Sequence, residues 1–107
     1  MGLDGTWDVK IKTPIGSLAV IYRFSEIDGI ITGSAEGRGE TVRLEDVTVV
    51  NQSDAQQVTW KQSITKPMRL NLDFDVRVTG DQMSGHSKAG RLPRSAVSGI
   101  RRVNQAG

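Results

Sequence analysis

Residues 68–78 read MRLNLDFDVRV, and the strict alternation of apolar and polar side chains in that run limits how the chain can fold more than any other feature. Side chains on an extended strand point alternately to two faces. Met68, Leu70, Leu72, Phe74, Val76 and Val78 therefore share one face, while Arg69, Asn71, Asp73, Asp75 and Arg77 share the other. A helical period would scatter the same residues around a cylinder, so the run reads as a strand with one buried side. The pattern recurs along the chain. Trp7, Val9 and Ile11 alternate with Asp8, Lys10 and Lys12. Leu18, Val20, Tyr22 and Phe24 alternate with Ala19, Ile21 and Arg23. Ile31, Gly33 and Ala35 face away from Thr32 and Ser34, and a fourth segment turns Val42 and Leu44 inward. Turns at Pro14-Ile15-Gly16, Asp28-Gly29, Gly37-Arg38-Gly39 and Gly80-Asp81 separate these segments. All five aromatic residues (Trp7, Tyr22, Phe24, Trp60, Phe74) fall on the inferred inner face.

The second half echoes the first. GTWDVKIKTPIG, residues 5–16, places a proline seven residues after a tryptophan, and VTWKQSITKPMR, from Val58 onward, does the same. At an offset of about 53 residues Trp60 corresponds to Trp7 and Pro67 to Pro14, while Met83-Ser84-Gly85 answers Ile31-Thr32-Gly33. The expected architecture is all-β: an eight-stranded antiparallel up-and-down barrel built from two four-strand pseudo-repeats, about 5–46 and 57–102, within one domain, 1–107. Closure removes the sheet edges that such a chain would otherwise expose. The stretch from Glu45 to Gln57 reads as a link with room for a short extra strand at Val47–Val50, and a flattened two-sheet sandwich is the alternative geometry.

A chain of 107 residues suits one modest core. Without cysteine it has neither disulfides nor thiolate chemistry. No apolar run is long enough to span a bilayer, and MGLDGTWD lacks the basic-then-apolar form of a signal peptide, so a cytoplasmic protein is expected. A net charge of +2 is too small to argue for nucleic acid, and aromatics that point inward cannot stack bases.

In an up-and-down barrel the last strand pairs with the first, which brings Arg101 of VSGIRR to Trp7. A guanidinium over an indole gains from cation–π attraction and flat stacking, so this pair is expected to close one end of the barrel as a structural plug. Gly5-Thr6-Trp7 with the late Arg101 resembles the signature of the calycin superfamily, which includes lipocalins, fatty-acid-binding proteins and avidins. DGIITG, residues 28–33, is similar to a turn-and-strand of avidin-like proteins, and the rhythm as a whole is similar to that of small bacterial barrel domains of uncharacterised function. That resemblance implies a calycin-like barrel. Avidin's polar biotin contacts have no counterpart here, so biotin binding is not implied.

With Trp7 and Arg101 at one end, the loops Thr13–Ser17, Gly37–Gly39, Lys66–Met68 and Gly90–Arg94 surround the other, which reads as a mouth. Seven cations (Lys12, Arg38, Lys66, Arg69, Lys88, Arg91, Arg94) stand near it against Glu36 and Glu40. Nine acids gather towards the closed end. A cationic rim over an apolar interior would steer an anionic amphiphile. The expected function is therefore a binding barrel for a small apolar or amphipathic ligand, anionic or neutral, contacted by Tyr22, Trp60, Gln62, Lys66, Met68, Arg91 and Arg94. Two alternatives stand beside it. One is a barrel cyclase or isomerase acting on a hydrophobic substrate, with Tyr22 as proton donor and Trp60 and Gln62 shaping the pocket. The other is a filled barrel used as an interaction module, with outward Ala19, Ile21, Ile30 and Ile100 available for a homodimer.

No cofactor or metal is called for. His86, the lone histidine, faces outward, Asp73 and Asp75 belong to a solvated strand face, and EGRGE lacks the length and the Lys-Ser/Thr of a phosphate loop. Inward Gly33, Ala35, Gly85, Ser87, Ala89 and Gly99 could either open a cavity or make room for the rings opposite.

Overall fold

In the computed structural model, residues 3–13, 16–37, 39–64 and 70–102 are described, except for the side chain of Ile64. They form nine strands: β1 (Gly5–Thr13), β2 (Gly16–Ile27), β3 (Ile30–Gly37), β4 (Glu40–Arg43), β5 (Glu45–Asn51), β6 (Gln56–Ile64), β7 (Leu70–Thr79), β8 (Gln82–Lys88) and β9 (Ser95–Arg101). All belong to one antiparallel sheet in the order β4-β3-β2-β1-β9-β8-β7-β6-β5, which curls into a nearly closed barrel. The last strand pairs with the first, in a register that sets Arg101 opposite Trp7 and Val97 opposite Ile11.

The strand count corrects the expected eight. The region read as a link carries a full strand, and the reason is visible at Leu44. β4 follows β3, with Ser34 opposite Arg43, and the Leu44 N–H still bonds to the Gly33 carbonyl at 2.9 Å. Beyond Leu44 the chain departs from β3 and pairs with β6, through a register irregularity between Glu45 and Thr48. Asp46 adopts φ +52° there, a left-handed conformation that a short polar side chain tolerates. Leu44 is buried, while Val47 and Val49 turn their side chains partly inward from β5. One bent path, 40–51, thus serves two neighbours and brings the ends of the sheet together. The proposed repeat is not mirrored in strand lengths: β4 has four residues where β9 has seven, and β5 has no counterpart. Pro14 and Pro67 lie outside the described residues.

The interior is built as the alternation requires. Trp7, Tyr22, Phe24, Trp60 and Phe74 are all at most 2 % exposed. Trp60 forms the hub: it stacks on Phe74 with centroids 4.9 Å apart, meets Phe24 edge-on at 5.5 Å, and lies tilted against Tyr22 at 5.3 Å. Val9, Val58, Val76, Val78, Met83 and Val97 fill the space around these rings. Burial of this set is the main source of stability, at roughly 1.5–3 kcal/mol per large side chain.

Candidate functional site

The two ends of the barrel differ in how they are finished. At the end where β1 begins, the Arg101 guanidinium carbon lies 4.5 Å from the centre of the Trp7 ring. Its Nε donates to the Asp81 carboxylate at 2.8 Å, Nη2 donates to the Gly80 carbonyl at 3.1 Å, and Nη1 donates to the Asp4 carbonyl. Beneath it, the Trp7 indole N–H donates to the Leu3 carbonyl at 2.9 Å, and Leu3 itself is buried. The rim beside this plug is tied by Arg102, which grips both Asp8 carboxylate oxygens at 2.8 and 2.9 Å. That hydrogen-bonded guanidinium holds the Asp8 carboxyl below its ordinary range. Neither Leu3 nor Asp8 was marked by the sequence reading, because a backbone carbonyl partner and an exposed ion pair leave no periodic signal.

From the middle of the barrel towards the opposite end the structure brings together three of the residues chosen from sequence. Gln62, on β6, is only 4 % exposed. Its side-chain carbonyl accepts the Tyr22 hydroxyl at 2.7 Å and the Trp60 indole N–H at 3.0 Å. An indole N–H can only donate, so the atom it meets is the amide oxygen; the Gln62 orientation follows, and its remaining capacity is two N–H donors. β2 runs into the barrel from this end and β6 runs out, which puts Tyr22 within reach of Gln62 across the interior. Burial pushes the Tyr22 hydroxyl far above its ordinary pKa, outweighing the hydrogen bonds with Gln62 and Trp60 that act the other way. Among the described residues no buried side-chain nitrogen or oxygen lacks a partner.

Beside this trio is a recess of about 60 Å³ lined by Leu18, Ala19, Val20, Ala35, Gly37, Glu40, Val42 and Gln62. The inward glycines open no larger cavity. A methyl group on Gly33 would stand 2.9 Å from both the Phe24 ring and the Leu44 side chain, and one on Gly85 would lie 2.2 Å from the Asp75 carbonyl. These positions are empty of side chain because their neighbours already occupy the space.

The remaining candidates are placed less centrally. Arg91 is exposed in the loop after β8. Arg94 lies over the outer face of the sheet, in a shallow depression with Asp73, His86 and Lys88. Lys66 and Met68, like Arg38 and Arg69, lie outside the described residues. Among the described residues no group of three or more His, Asp or Glu side chains could hold a metal ion, and no helix is long and apolar enough to cross a membrane.

The fold and this arrangement define a nearly closed antiparallel barrel with an aromatic core, a guanidinium–indole plug at one end and a buried polar trio that reaches from mid-barrel towards the other. No family model, curated protein or solved structure matches the chain.

Proposed function

We propose that the protein is a binding barrel for a small apolar or amphipathic, anionic ligand that enters at the end opposite Trp7. The observation that carries this reading is the recess beside Gln62: a mostly apolar hollow with a buried, oriented amide and Glu40 in its wall. Its volume of about 60 Å³ corresponds to roughly two waters in the liquid, so only the last few carbons of a ligand enter. The remainder lies over the mouth, where the exposed Arg91 supplies positive charge that raises the rate of encounter with an anion. A calycin kinship, an origin by duplication at the offset of about 53 residues and a cytoplasmic setting belong to the same proposal. A cyclase using Tyr22 as acid is the weaker reading. A hydroxyl whose pKa is raised by burial, and whose proton is already given to Gln62, is a poor donor to substrate.

Calorimetric titration with butanoate, octanoate and benzoate tests the proposal. At least one should bind, Ala35→Val should abolish binding by filling the recess, and Arg91→Glu should slow association in a salt-dependent way. Failure of all three acids to bind, or binding that survives Ala35→Val, would refute it.

A further inference from the structure

Gln62 carries hydrogen-bonding capacity that the chain does not use. Its side-chain oxygen accepts from both Tyr22 and Trp60, which occupies that atom's two lone pairs. Among the described residues its amide nitrogen donates to nothing, although the residue is only 4 % exposed. No wholly buried side-chain nitrogen or oxygen among them lacks a partner, so this nitrogen touches open space. The recess that Gln62 lines is that space. Two N–H donors therefore face a hollow of about 60 Å³, and no acceptor among the described residues meets them. Accepting two hydrogen bonds at the oxygen draws electron density from the amide and makes those N–H groups better donors.

Strand register explains why the hollow stands there. Tyr22, Ala35 and Val42 form one inward row across β2, β3 and β4, with Ala35 opposite both neighbours. In the next row towards the mouth Gly37 stands opposite Glu40. Ala35 and Gly37 are successive inward positions of β3, and between them they place a single methyl group in the interior. Glu40 shares the inward phase of Val42 and is half-buried in the same wall. Its carboxylate disfavours a second negative charge beside it, and it is already engaged in an interaction of its own. The recess thus presents donors from Gln62 and opposes an anion.

We infer that the inner end of the ligand carries a neutral carbonyl, which accepts from the Gln62 amide while the carboxylate stays at the mouth. The inference rests on the binding reading above and adds a chemical class to it: a short oxo acid with a ketone beside its terminal methyl group. An acetyl end suits a recess of this size. A plain alkyl end leaves both donors unmade, and a carboxylate end meets Glu40. A hydroxyl end brings a proton for which Gln62 has no acceptor left. A ketone oxygen has two lone pairs and no proton, which complements a site of donors. Such a site discriminates against an analogue without the acceptor, because its own polar groups then go unpaired.

Calorimetric titration of the full chain with matched acids is the test: levulinate against pentanoate, and the methyl-ketone analogue of octanoate against octanoate. Each ketone should bind more tightly than its parent acid by about fivefold or more. In isotope-labelled protein followed by NMR, the ketone acids should move the Gln62 side-chain amide protons downfield, and the parent acids should not. Ala35→Val, which fills the recess, should abolish that shift. Equal binding of ketone and parent acid, or amide protons that respond to both alike, would overturn this inference and leave the binding barrel standing. Tighter binding of the corresponding hydroxy acid than of the ketone would overturn it in the same way. Failure of every acid to bind would refute the barrel and the inference together.

Discussion

Replacing Gln62 by leucine tests the central polar trio most directly. The two side chains have similar reach, so the change removes an acceptor while leaving little cavity. Tyr22 is 0 % exposed and Trp60 1 %, so neither the O–H nor the indole N–H can turn to water when the acceptor is gone. Leaving a buried donor unmade costs about 1–3 kcal/mol, which puts the loss at about 3–4 kcal/mol once the apolar gain of leucine is set against two orphaned donors. Tyr22→Phe should cost far less, about 1 kcal/mol, because the Gln62 oxygen keeps the Trp60 N–H and no group is orphaned. In the double variant only the Trp60 N–H is left without an acceptor, so its loss should be smaller than the sum of the singles by about 1–2 kcal/mol. Urea unfolding followed by tryptophan fluorescence measures all three, and thermal midpoints should fall by about 4–8 °C per kcal/mol. Strictly additive losses, or a Gln62→Leu variant within about 1 kcal/mol of wild type, would show that the trio is not the coupled unit its distances imply.

Arg101→Ala should destabilise by about 2 kcal/mol in urea, through loss of the contact over Trp7 and of the donors to the Asp4 and Gly80 carbonyls; the exposed Asp81 carboxylate adds little. Arg101→Lys should not restore the loss, because an ammonium cannot lie flat on the indole and serve separated acceptors together. Tyr22 is the single tyrosine, so phenolate absorbance reports it alone. Its folded pKa is raised above the unfolded value of 10.0, so the unfolded chain loses that proton first and stability falls as pH rises beyond about 10. Ionisation should therefore appear only together with alkaline unfolding, and Tyr22→Phe should remove that part of the pH dependence; a phenolate titrating near pH 10 in the folded protein would contradict the burial.

The faces of the strands were legible because a period of two leaves no freedom: once Phe74 faces inward, so do Leu72 and Val76. The pairing of the last strand with the first followed from the same logic, and it brings Arg101 to Trp7. The bend at Leu44 was missed, although the sequence held a trace of it. Inward positions 42 and 44 are even and inward positions 47 and 49 are odd, so the alternation slips by one residue across Glu45-Asp46. A strand that keeps its burial through such a slip must absorb an extra residue, and Asp46 does so at positive φ. No glycine or proline marks the site, which is why it read as a link. Gln62, Tyr22 and Trp60 could be named because they were polar or amphipathic groups on an inward phase. That they share one acceptor atom depends on how β2 and β6 face each other across the barrel, and no local pattern encodes that.

The glycines bind the inner and outer readings together. Gly33 yields its space to Phe24 and Leu44, and Gly99 yields to Val9, whose side chain would be 2.9 Å from an added methyl group. Large rings can fill so narrow a barrel only if the strands facing them give up side chains, so an aromatic hub and inward glycines are two halves of one packing solution. That solution uses the interior for stability and leaves a small recess beside Gln62 and Ala35. It also bears on the outer surface. Gly37 and Gly99, inward in phase, line a shallow depression on the outside of the sheet by their backbone, alongside the small outward residues Ala19, Ser84 and Ser98. A substitution that enlarges Gly99 should therefore disturb both sides of the sheet, whereas one at Ser98 should reach only the outside.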